Sequence, residues 1–140
     1  MDKEFEEKNV FGLGKENTAY EKYFIGKSFL NMLTTSAFGI ANVTFEPGCR
    51  NNWHIHHATK GGGQILLCVA GEGWYQEEGK EALSLKAGSV VVIPPNVKHW
   101  HGAKKDKPFS HIAIEVPGEN ASTEWCEPVM DEEYLKLEEK

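Results

Sequence analysis

Glycine and proline cut this chain into short, evenly spaced apolar runs, and that punctuation restricts its fold more than any other feature. The 140 residues include 14 glycines and six prolines, which points to many brief strands joined by turns. Nine strands are expected, at Phe29–Leu33, Phe38–Phe45, Trp53–His57, Gln64–Val69, Gly73–Glu77, Ala82–Leu85, Val90–Ile93, His99–Gly102 and Phe109–Val116. Eight or nine strands suit a closed barrel or sandwich. Glu78-Gly79-Lys80-Glu81 reads as a hairpin turn with Gly79 at positive φ, and Lys86-Ala87-Gly88-Ser89 as a second turn. The ends differ: an acidic, mixed stretch runs to about Thr18, and Asp131–Leu137 reads as a short helix with an acidic first turn.

A chain of this length has room for one core, so residues 1–140 are expected to form a single domain. Fifteen Lys and Arg against 21 Asp and Glu give a net charge of −6, which argues against nucleic acid as a partner. No apolar run reaches the length of a membrane helix, and the first residues lack the apolar core of a signal peptide. A cytoplasmic location without membrane contact is the expectation. The three cysteines form no C-x-x-C spacing, and reduced thiols agree with that address. Cys68, inside Ile65–Ala70, reads as a buried structural thiol. Cys49 follows Glu46-Pro47-Gly48 near the histidines and is weighed as a thiolate ligand, but the histidines supply a better-spaced set.

All six histidines, His54, His56, His57, His99, His101 and His111, fall between residues 54 and 111. On a strand, residues i and i+2 share a face, so His54 and His56 point together, as do His99 and His101. Both pairs can aim into one barrel, and converging neutral imidazoles with an oxygen donor suit a divalent first-row metal. His57, of opposite parity, is expected to be structural, and Trp53 and Trp100 to pack on the side away from the histidines. Ala41, Val43 and Phe45 share one strand face, and His111, Ala113 and Glu115 another. For Glu115, beside Pro117-Gly118, a solvated strand end is the plain alternative.

Gly48, His54-Ile55-His56, Gln64 and Gly71 resemble the first conserved motif of the cupin superfamily, with Gln64 where that motif has Glu. Gly88 through Pro94-Pro95-Asn96-Val97-Lys98-His99 resembles the second, with Asn96 in place of a usual Gly. The resemblance implies an all-β, double-stranded β-helix (jelly-roll-like) barrel over about residues 38–117, flanked by an N-terminal extension 1–28 and a C-terminal segment 118–140. It also implies one divalent transition metal held by His54, His56, Gln64 and His99. Seven residues separate His56 from Gln64, more than the motif allows, and a glycine-rich bulge or flap at Gly61–Gly63 would absorb the excess. A neutral Gln leaves the site one unit more positive than Glu would, which favours Lewis-acid chemistry over oxidised-metal routes.

His99-Trp100-His101-Gly102-Ala103, the Gln at the ligand position, and the region continuing to Tyr134 are similar to the manganese-dependent cupin hydroxynitrile lyases. That resemblance implies manganese, with iron, zinc or nickel as alternatives, and His101 and His111 as catalytic residues. It gives Ala41, Val43 and Glu115 as lining of the pocket for a small molecule, a carbonyl-derived or hydroxynitrile-type substrate. Two other readings stay open: an iron dioxygenase, isomerase or decarboxylase of small ring-cleavage metabolites, and a non-catalytic ligand-binding barrel. Fold analogy implies a homodimer or higher homo-oligomer.

Overall fold

The computed structural model describes residues 1–139, and every strand pairing in it is antiparallel. The strands are β1 (Lys15–Glu16), β2 (Phe24–Ile25), β3 (Ser28–Thr34), β4 (Ile40–Phe45), β5 (Arg50–Asn51), β6 (His54–His57) and β7 (Lys60–Gly61). They continue with β8 (Gln64–Glu77), β9 (Leu83–Lys86), β10 (Val90–Ile93), β11 (His99–Ala103), β12 (Phe109–Glu115), β13 (Gly118–Glu119) and β14 (Ser122–Trp125). Helix α1 covers Lys3–Lys8 and α2 covers Asp131–Tyr134, continued by a 3-10 turn over Leu135–Glu139. No helix among the described residues is long and apolar enough to cross a membrane.

Two layers curl into a barrel, and β8 belongs to both. Its first half, Gln64 to Gly71, pairs with β10 and β12, and β12 leads on through β4 and β3 to β1. Its second half, Glu72 to Glu77, pairs with β9 and β11, and β11 continues to β5 and β6. The sequence predicts two separate strands here, Gln64–Val69 and Gly73–Glu77, with Gly71 between them. Gly71 instead bends one continuous strand: its φ is +75°, and a Cβ there would collide with the Pro108 carbonyl oxygen.

The barrel interior fills at one end. Phe45, Leu66, Tyr75, Ile93 and Phe109 pack there with both Cys49 and Cys68. A second cluster, Trp53, Trp74, Trp100, Val129 and Tyr134, lies beneath the C-terminal segment, so these three tryptophans face away from the histidines. Arg50 ties that segment down. Its guanidinium donates twice to the Val129 carbonyl (3.0 and 2.7 Å), once to Asp131 (2.6 Å), and lies 4.1 Å from the Tyr134 ring centre. Asp131 is mostly exposed, so the buried carbonyl bonds and the ring contact carry the tie.

The N-terminal stretch is also built in, which composition alone did not indicate. Asp2 caps α1, Phe5 is buried, and β1 pairs with β3. Asn9 donates to Ser110 Oγ (2.7 Å) and accepts from Asn42 (2.8 Å). That polar seam explains why β4 buries Asn42 and Thr44 on its outer side as well as Ala41 and Phe45 on its inner side.

Two substitutions probe these constraints in urea unfolding. Gly71→Ala is expected to lose about 3 kcal/mol or more, from the positive φ and the clash together. Arg50→Met is expected to lose about 2–3 kcal/mol, by leaving a buried carbonyl unpaired. Wild-type midpoints in either variant would contradict the corresponding assignment.

Candidate metal centre

The alternation of β6 turns His54 and His56 inward, and β11 places His99 directly opposite His54. Their candidate ligand atoms all lie within 4.8 Å of one another, and all three residues are buried. Each ring is oriented from behind. His54 Nδ1 donates to the Asn52 carbonyl (2.8 Å) and His99 Nδ1 to the Val97 carbonyl (2.9 Å). His56 Nδ1 lies 3.3 Å from Thr123 Oγ1. A carbonyl only accepts, so the ring protons of His54 and His99 sit on Nδ1, and Nε2 keeps its lone pair.

Nε2 of both His56 and His99 is buried with no hydrogen-bond partner among the described residues. Leaving such acceptors unpaired is costly, and a divalent cation is the group their lone pairs fit. The rings are also in the ligating, neutral form. Burial, helped by neighbouring imidazoles, pushes His54 well below the usual histidine range and His99 down to about 4.

Gln64 opens β8, opposite Glu115 of β12. Its Nε2–H donates to the Glu115 carboxylate at 2.7 Å. The extra residues before it form the positive-φ glycines 61–63, and β7 pairs with β13 as a small separate ribbon. Asn96, which stands where the second motif has Gly, takes φ +66°, and its side-chain amide bonds both the N–H and the carbonyl of Ala58 at 3.0 Å. Asn is among the few residues that tolerate this conformation.

Beside the three histidines opens a cavity of about 570 Å³. Gln64, His101, His111, Ala41, Val43 and Glu115 line it, as do His54 and His56, whereas His99 is fully buried and does not. Glu115 is both of the things weighed for it, an exposed strand end and a cavity-rim residue. His111 Nε2 lies 3.0 Å from His101 Nδ1, and the His101 ring centre is 5.6 Å from that of His54. Burial is the main force holding both rings neutral, with His111 at about 3 and His101 well below its usual range. Asn51 Oδ1 accepts the His101 backbone N–H at 2.9 Å, while Asn51 Nδ2 rests 3.3 Å from each ring nitrogen.

Sequence reasoning missed part of this wall. Thr123 and Trp125 arrive on β14, with Trp125 packed against His54 at 4.7 Å and stacked on Tyr23 at 4.5 Å. Their shared parity was available as a signal, but Ser122–Trp125 is too short to show a period. Asn51 and Phe24 come from two-residue strands that leave no pattern at all. Cys49 proves to be core rather than ligand: it is fully buried in the packed end, and burial drives its thiol up to about 12. His57 points outward to Glu124 at 2.7 Å.

Residues 41–115 match the cupin domain family. The chain is a cupin. It is 43% identical over 96 residues to an (R)-mandelonitrile lyase of Granulicella tundricola, covering 69% of this chain and 70% of that protein. A cupin-like protein of Thermotoga maritima superposes with a TM-score of 0.81 at 40% identity, covering 94% of this chain and 99% of its own. A predicted oxalate decarboxylase of the same organism shares the fold at a TM-score of 0.59 and 20% identity, over 66% of this chain and 83% of its own.

The buried imidazoles make this cupin acid-sensitive when metal-free. In the unfolded chain the histidines titrate near 6.5, whereas folding holds His99 at about 4 and His111 at about 3. Above pH 7 both are neutral in either state and contribute no pH dependence. Below 6.5 the unfolded chain binds more protons, so stability falls until the folded rings themselves protonate. The urea midpoint of chelator-treated protein is therefore expected to drop between pH 7 and pH 4. A flat profile across that window would contradict buried, neutral rings.

Proposed function

We propose that this cupin is a metal-dependent lyase acting on a small neutral hydroxynitrile or related carbonyl-derived compound. The observation that carries the reading is the composition of the cavity: a histidine trio fit for a metal adjoins a neutral His101–His111 pair, and among the described residues no Lys or Arg lines the space. Glu115 is the one charged side chain among the lining residues described, so these walls offer a substrate carboxylate no cationic side chain to pair with. A neutral compound suits these walls better than a carboxylate substrate of a decarboxylase. Likeness to the (R)-mandelonitrile lyase supports the same class.

His54, His56 and His99 would hold the metal, with the Gln64 carbonyl as a fourth donor, and manganese is the metal we propose. Such a metal, when bound, supplies Lewis acidity toward a substrate oxygen. Ala41, Val43 and Ala113 form a small-residue wall that leaves room for the substrate's apolar group, and Leu30 and Met32 extend it. The size of the cavity falls in the usual range for small-molecule sites.

His101 acts as general base. With the shared proton on its Nδ1, directed at His111 Nε2, the Nε2 atom of His101 keeps its lone pair, and the substrate hydroxyl proton displaces the Asn51 amide that rests 3.3 Å from it. The hydroxyl oxygen then forms the carbonyl as the C–CN bond breaks, and cyanide leaves with the bonding electron pair. Return of the proton from His101 gives hydrogen cyanide, so carbonyl compound and HCN together account for every atom of the cyanohydrin. His111 steadies the tautomer, and Asn51 fixes the strand that carries His101.

The test is release of HCN from a neutral aryl cyanohydrin by metal-loaded protein, compared with His101→Ala. Turnover is expected to fall about 100-fold or more in the variant while metal content stays at the wild-type level. Undiminished turnover would remove His101 from the chemistry, and no HCN release by wild type would end the lyase reading.

A further inference from the structure

Three neutral imidazoles and a neutral amide present a divalent cation with donors but no negative charge. The charge at this end of the cavity comes from Glu115, whose carboxylate accepts the Gln64 Nε2–H at 2.7 Å. That bond settles the amide orientation, because a carboxylate can only accept and the Gln64 nitrogen must therefore face it. The Gln64 carbonyl oxygen then projects from the opposite side of a side chain only 8% exposed. Among the described residues no donor bonds that oxygen, and Gln64 lines the cavity together with His54 and His56.

The backbone makes the arrangement rigid. Gln64 and Glu115 are direct cross-strand partners on β8 and β12, and Ile93 of β10 flanks Gln64 on its other side. Cross-strand neighbours on one face have little freedom to separate.

We propose that Glu115 is the positioning residue of the metal centre: it turns the Gln64 carbonyl toward the histidines and supplies the negative charge that the donor set lacks. This rests on the reading of His54, His56, Gln64 and His99 as ligands. It gives Glu115 a role distinct from lining the pocket or ending a strand. The pair acts as a carboxylate-backed amide, in which charge and donor atom sit on two adjacent strands instead of one side chain.

Manganese(II) titration of metal-free protein, followed by calorimetry and by electron paramagnetic resonance of free Mn(II), tests the assignment without an activity assay. Glu115→Gln keeps an acceptor oxygen but removes the charge, Glu115→Ala removes both, and Glu119→Gln removes a remote surface charge as a control. Because Glu115 is exposed, its variants are expected to fold, which thermal melts would check. Mn(II) affinity is expected to fall about 10-fold in Glu115→Gln and up to about 100-fold in Glu115→Ala, with no change in Glu119→Gln. The exchanged pair Gln64→Glu with Glu115→Gln retains the hydrogen bond with donor and acceptor reversed, and is expected to recover affinity to within about 3-fold of wild type. Wild-type affinity in Glu115→Ala, or an exchanged pair no tighter than Glu115→Ala, would overturn the proposal while leaving the histidine centre intact. No Mn(II) binding by wild type would overturn the ligand reading itself.

Discussion

The bend of β8 at Gly71 is the constraint on which the site depends. One strand passes from the first layer to the second, so the register of each layer is coupled to the other through a single backbone. Its first half sets Gln64 beside Glu115, and its second half carries β11, which in turn sets His99 beside His54. A slip of one residue would turn Gln64 out of the cavity on one side and reverse the faces of β11 on the other. The residues of the candidate centre are therefore brought together by strand pairing before any side chain finds its rotamer.

What this geometry produces is costly without a ligand. Five buried imidazoles crowd the open end, and Nε2 of His56 and His99 and Nδ1 of His111 have no partners among the described residues. Burial keeps them uncharged, so the cost takes the form of unsatisfied ring nitrogens rather than mutual repulsion. The packed end and the tryptophan cluster carry the stability that offsets it. A chain organised in this way concentrates its polar deficit where a cation can relieve it, which is how metal binding and folding become linked.

Parity was legible in the sequence wherever a strand was long enough to show it. His54 with His56, His99 with His101, and Ala41 with Val43 all lie on the faces expected, because period two admits only two answers per strand. Failures came where local signal and tertiary role part company. Gly71 falls between the two strands expected from the sequence, and only the crossing between layers reveals it as a bend in one. Asn51, Phe24 and Trp125 sit on strands of two to four residues, where pairing with β6, β11 or each other supplies an order that the segment alone cannot. The N-terminal stretch reads only as acidic and mixed because its anchors are sparse: Phe5 and Asn9 secure most of it.

The same distinction applies to charge. From the sequence, a glutamine at the ligand position reads as one negative charge lost from the centre. The fold brings Glu115 to within 2.7 Å of that glutamine across two strands separated by some fifty residues, and no local pattern encodes the pairing. The loss is thus a matter of bookkeeping by position, whereas the electrostatics of a site depend on what surrounds it in space. Because Glu115 also lines the cavity, its charge acts both on Gln64 and on the space beside the histidines. A single exposed side chain at the end of β12 thus sets the electrostatics of a buried amide and of an open cavity together.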